Sequence, residues 1–122
     1  MIMAALKLDF NLTETDLSDI FCTAAMSIGY WADECEISEP YEATDPATTL
    51  AVTCEEGTEL YELKMDDVID SIERIVNGEV TVADSIKSDI LKAITEDDYG
   101  YIDGYAADAI VQAACFGELI YG

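Results

Sequence analysis

Residue patterning in this 122-residue chain points to a single α+β domain over residues 1–122. In it, a small antiparallel sheet of about three or four strands packs against about four helices. Three observations carry that expectation. Hydrophobic residues make up 51% of the chain and mean hydropathy is +0.15, too apolar for a disordered acidic segment despite a formal charge of -22. The apolar period switches between two and about 3.6 residues, in the order strand, helix, three strands, three helices. The length suits one domain able to bury roughly two-thirds of its unfolded surface.

The elements follow in chain order. In Met3–Phe10, Leu6, Leu8 and Phe10 alternate with Ala5, Lys7 and Asp9, a first strand. Thr13 or Thr15 caps a helix with Glu14, Asp16 and Asp19 near its start, and Leu17, Ile20, Phe21, Ala24, Ala25 and Ile28 recur at helical spacing up to Gly29. Trp31, Cys35 and Ile37 then alternate with Glu34 and Glu36 as on a half-buried strand. Ser38–Thr48, with Pro40 and Pro46, reads as a loop. Leu50, Val52 and Cys54 share one strand face, Glu55-Glu56-Gly57 turns, and Tyr61 and Leu63 continue the hairpin.

Asp66–Val76 is helical, with Val68, Ile69, Ile72, Ile75 and Val76 on one side and Asn77-Gly78 as terminator. Thr81 is positioned to cap the next helix, where Val82, Ile86, Ile90 and Ile94 recur every fourth residue. Asp103 caps the last, from about Tyr105 to Cys115, which is apolar nearly all round and therefore expected at the centre of the fold; Gly117 ends it. Phe116, Leu119 and Ile120 are expected to pack as a tail, and Trp31 and the tyrosines to sit in or at the edge of the core.

Several classes of chemistry are excluded or weakened. With no histidine, neither a Ser-His nor a Cys-His pair exists for acyl transfer, and no mixed zinc site can form. Carboxylate pairs suited to glycoside hydrolysis arise by chance among 27 acids, so no enzyme is expected. A calcium loop starting at Asp98 fails because its third and fifth positions are Gly100 and Ile102, so no cofactor or metal is expected either. Cys22, Cys35, Cys54 and Cys115 lack CxxC spacing and read as core thiols; a disulfide pair is the alternative. Residues 1–10 lack a signal-peptide pattern and no run reaches the ~18 apolar residues of a membrane helix, which sets the expectation of a cytoplasmic protein.

What remains is charge. A compact domain of this length has a diameter of roughly 35 Å, and duplex DNA, with one charge per ~1.7 Å, holds 22 charges in about 37 Å. Self-repulsion on that scale opposes compaction, and it far exceeds the net charge of ~2–8 that solubility needs. Three acidic groups have useful geometry. Asp66, Asp70 and Glu73 form a row opposite the apolar stripe of their helix. Glu34 and Glu36 project from one strand face about 6.7 Å apart. Glu96, Asp97 and Asp98 sit in a loop with Tyr99 and Tyr101, whose rings can pack on arginine or lysine stems. Taken singly, the Asp66 row and the Glu34 and Glu36 pair read first as solvated faces, and it is the global excess of charge that favours a partner.

The stretches Thr23–Ala32 (TAAMSIGYWA), Ala107–Gln112 (ADAIVQ) and Phe116–Gly122 (FGELIYG) resemble a group of small acidic phage and prophage proteins of largely unassigned function. The likeness covers about the first and last quarters and transfers no residue's role. It implies a counter-defence setting, as for anti-CRISPR and anti-restriction DNA mimics acting in the host cytoplasm. The expected partner is then the basic DNA-binding surface of a host defence protein, a CRISPR effector subunit or a restriction enzyme. Direct nucleic-acid binding and membrane binding are not expected. The alternatives are an acidic structural protein, including one from a salt-loving host, and a regulator of some other basic protein.

Overall fold

A computed structural model of the protein describes residues 11–37 and 48–122. Over these residues it is an α+β arrangement of four helices and a three-stranded antiparallel sheet. The strand expected at Met3–Phe10 and the loop residues 38–47 lie outside the described residues.

Helix α1, Glu14–Ser27, starts on Thr13, whose hydroxyl accepts the Asp16 amide at 3.1 Å while Asp16 Oδ2 accepts the Thr13 amide at 3.1 Å. This reciprocal cap satisfies two otherwise orphaned donors. Its inner face buries Leu17, Ile20, Phe21 and Ala24. Cys22, one position on, points outward and is exposed, so it is not the core thiol expected from its apolar neighbours: adjacent helical residues face about 100° apart. Cys54 is buried, Cys35 and Cys115 are half-buried, and all four thiols are free.

Strand β1 covers Glu34–Ile37, shorter than expected because Trp31 lies in the turn that follows α1, where its amide and that of Ala32 both donate to the Ile28 carbonyl. Strands β2, Leu50–Cys54, and β3, Glu59–Leu63, complete a meander in the order β1-β2-β3. The register aligns Cys35, Val52 and Tyr61 in one inward row and Ile37, Leu50 and Leu63 in another. At the hairpin tip Glu55, Glu56 and Gly57 are all left-handed, with φ of 54°, 57° and 84°. The Gly57 amide there donates to Asp33 Oδ2 at 2.9 Å.

Helix α2, Met65–Val76, ends at Asn77 and Gly78, the latter left-handed at φ 80°. Helix α3 runs Asp84–Thr95 with its N-cap at Ala83; Thr81 is exposed and does not cap it. Val82 therefore precedes the helix and continues the apolar row from a loop. A 3₁₀ turn at Tyr99–Tyr101, not foreseen from the apolar pattern, leads to α4, Gly104–Phe116. Asp103 Oδ1 caps α4 by accepting the Ala106 amide at 2.9 Å, and left-handed Gly117 ends it.

As its apolar surface predicts, α4 is central, packing on α1, α2, α3 and β3. A Cβ at Gly104 would lie 2.7 Å from Ser27 Oγ, so a larger residue there would require the Ser27 hydroxyl to move where the first turn of α4 meets the end of α1. Ser71 Oγ, buried in α2, donates to the Ile110 carbonyl of α4 at 2.7 Å. No described helix is long and apolar enough to cross a membrane.

Candidate functional site

The described acidic side chains are overwhelmingly surface groups: none is buried, and only Asp16, Glu73, Asp89 and Asp108 are even half-buried. Cations are scarce and unevenly placed, for Lys64, Arg74, Lys87 and Lys92 all fall between residues 64 and 92. Among the described residues one ion pair forms, Asp70 to Arg74 at 3.8 Å, between exposed partners on α2. Such a pair contributes little, ~0.3–0.5 kcal/mol. It does, however, take Asp70 partly out of the row with exposed Asp66 and half-buried Glu73.

The sheet extends the pair expected on β1. Glu34 and Glu36 are exposed on its outer face, and the register places Glu36, Ala51 and Glu62 in one cross-strand row and Glu34, Thr53 and Leu60 in the next. Glu62 thus joins the pair, with strands ~4.8 Å apart. Period two was enough to find it: Tyr61 and Leu63 facing inward forces Leu60 and Glu62 outward. Leu60, 64% exposed, adds an apolar side chain at the β3 edge of this acidic face.

The loop group is reorganised more deeply. Glu96, Asp97 and Asp98 are exposed, but they diverge. Glu96 Oε1 accepts the Tyr101 hydroxyl at 3.3 Å, and the Glu96 charge is the main influence raising the Tyr101 pKa. Asp97 is left-handed at φ 51°, and Asp98 Oδ1 accepts the Gly100 amide at 3.0 Å. Asp97 and Asp98 line a cleft of about 390 Å³ together with Asp16 and Asp19 of α1, Tyr99 and Ile102. The two α1 acids, legible in sequence only as helix-start residues, become part of an acidic cleft because the segment from Asp97 to Ile102 borders the same space as the first turns of α1.

A different use of a carboxylate appears at Asp108, which sequence reasoning missed. Its Oδ1 accepts Trp31 Nε1 at 2.8 Å and Gln112 Nε2 at 2.9 Å, and its Oδ2 accepts the Tyr30 hydroxyl. Fully buried Gln112 then holds the C-terminal segment, its Oε1 accepting the amides of Ile120 at 3.0 Å and Tyr121 at 2.9 Å. The Tyr121 ring stacks on Trp31 with centroids 5.3 Å apart and planes 3° from parallel, and its hydroxyl donates to Glu55 at 2.9 Å. Burial, then the hydrogen bond and charge of Asp108, push Tyr30 up to about 12. The sequence signal was present: Asp108 and Gln112 are one helical turn apart in a helix otherwise apolar all round.

These contacts join the segments Thr23–Ala32, Ala107–Gln112 and Phe116–Gly122 at one place. The tail packs as expected through Phe116 and Leu119, while Ile120 is exposed. Of Trp31 and the described tyrosines, Trp31 and Tyr99 are buried; Tyr30, Tyr101 and Tyr105 are exposed and depart from the expected core placement. Beside the network lies a groove of about 730 Å³, bordered by Tyr30, Tyr105, Ile86, Asp108, Leu119 and Tyr121. Among the described residues no cluster of acids and thiols is arranged to hold a metal ion. Compared with known proteins, the chain matches no family model, no curated protein and no solved structure.

Proposed function

We propose that this protein is a stoichiometric, phage-type inhibitor that occupies the Lys/Arg-lined DNA-binding surface of a host DNA-targeting defence complex, a CRISPR effector or a restriction enzyme. Its carboxylates stand in for phosphates. The observation that carries this reading is a formal charge of -22, with most of the described carboxylates exposed and a single internal ion pair among the described residues. The outer sheet face with Glu34, Glu36 and Glu62, the α2 row with Asp66, Asp70 and Glu73, and the cleft with Asp97 and Asp98 offer separate anionic patches to a groove that normally follows a sugar-phosphate backbone. Glu96 lies beside the third. The likeness of three segments to small acidic phage proteins supplies the setting.

Association of this kind is fast, steered by long-range charge and weakened by salt, with the ensemble of acids mattering more than any one rim residue. The test is capture of host proteins on the immobilised chain, followed by elution with duplex DNA at constant ionic strength. Displacement of the captured protein by DNA is the expected result. A captured protein that DNA fails to displace would mean ordinary acidic recognition, and a chain that unfolds without molar salt would mean adaptation to a saline cell.

A further inference from the structure

The acidic cleft differs from the other patches in having a wall as well as a rim. Asp16 and Asp19 of α1 line it together with Asp97 and Asp98, and among the described residues no cation lines it. Two of these acids are held by the backbone, Asp16 through the Thr13 amide and Asp98 through the Gly100 amide, so part of the anionic lining is in place before any ligand arrives. Tyr99 also lines the cleft, with its side chain 7% exposed and its hydroxyl without a hydrogen-bond partner among the described residues. Burying a hydroxyl in that state costs roughly 1–3 kcal/mol, which an apolar phenylalanine at the same position would avoid.

The combination selects among cations. A compact metal ion needs several oxygens converging on one point, and no described group of acids is arranged that way. An ammonium is a point charge with three donors, whereas a guanidinium is planar, spreads its charge and presents five N–H groups in a fixed fork. A cleft with carboxylates on two sides and, in the lining residue Tyr99, a buried phenol oxygen still lacking a partner matches the second. The phenol stays neutral throughout the physiological range, since burial first, then the charges of Asp97 and Asp16, push Tyr99 up to about 12. It therefore serves as an uncharged acceptor among charged ones.

We propose that this cleft receives one arginine side chain of the partner, Asp19 and Asp97 pairing with the guanidinium and the Tyr99 hydroxyl accepting one of its N–H groups. The inference rests on the mimicry reading and adds a specific anchor to an otherwise diffuse surface.

The experiment titrates the ¹⁵N-labelled full chain with N-acetyl-L-arginine amide, and in parallel with N-acetyl-L-lysine amide, at fixed ionic strength. Saturable shifts confined to Asp19 and Asp97–Gly100, tighter for arginine than for lysine, are expected. Tyr99→Phe should weaken arginine binding about 5–10-fold while leaving thermal stability equal or higher, a pairing of effects that a purely structural hydroxyl would not produce. Asp97→Asn should weaken binding without disturbing the turn, because asparagine tolerates the left-handed backbone. Shifts spread equally over Glu34, Glu62 and Asp66, equal affinity for lysine, or unchanged arginine affinity in Tyr99→Phe would each overturn the proposal. If those failures occur while DNA still displaces the captured host protein, the cleft assignment alone falls; if arginine binds the cleft while DNA displaces nothing, mimicry falls instead.

Discussion

Asp108 and Asp97 are the same residue type with opposite surroundings. Asp108 is ringed by donors from Tyr30, Trp31 and Gln112, and its charge is satisfied within the fold, where it ties α1, α4 and the C-terminal segment together. Asp97 is exposed on a left-handed turn, in a cleft with Asp16, Asp19 and Asp98 that no described cation lines. In a protein this acidic, the sign of a side chain says little about its job. The number of internal donors pointed at it separates a structural acid from one available to a partner.

The largest effect expected from that contrast is in stability. Asp108→Ala leaves Trp31 Nε1 without its acceptor and Gln112 with fewer, and should cost about 2–4 kcal/mol. For a domain of this size that lowers the melting temperature by on the order of 10 °C, measurable by calorimetry. Alkaline pH acts on the two sides by one route. Tyr30 beside Asp108 and Tyr99 in the cleft are both pushed up to about 12 from 10.0, so the folded state holds protons that the unfolded state releases. Their contribution is fully present below about pH 10 and is lost as pH rises through about 12, and tyrosinate absorbance should show two phenols titrating late. The smallest effect is expected at Asp97→Asn, within about 0.5 kcal/mol of the parent, with any change favourable because one like charge is removed from the cleft.

Local rules made most of the fold legible. The Thr13 and Asp103 caps, the Gly78 and Gly117 stops and the inward faces of β2 and α2 follow from side-chain chemistry within a few residues, and the structure has them as expected. Thr81 misled because a capping residue marks a helix start only where the chain actually turns into one; here the helix begins at Asp84. Cys22 misled because apolar sequence neighbours on a helix belong to different faces.

The site was legible in charge but not in grouping. Glu34 and Glu36 could be paired from strand period, and Asp66, Asp70 and Glu73 from helix period. The link from Asp16 and Asp19 to Asp97 and Asp98 spans about two-thirds of the chain and depends on the tertiary fold bringing the two segments to one cleft, which no local pattern encodes. The same holds for Asp108, whose meaning rests on Tyr30 and Trp31, some 77 residues away.

The most direct measurement is the affinity for the DNA-displaceable host protein of a variant in which Glu34, Glu36, Asp66, Asp70, Glu73, Glu96, Asp97 and Asp98 become their amides, with Asp108 and the two cap residues Asp16 and Asp103 untouched. Because seven of these eight are exposed, Glu73 is half-buried and all lie outside the Asp108 network, the variant should fold and melt at or above the parent temperature. Mimicry predicts that it binds at least a hundredfold more weakly, ~3 kcal/mol at tenfold per 1.4 kcal/mol, and that its remaining affinity depends less on salt. A folded variant that binds as tightly as the parent, with the same salt dependence, would contradict it.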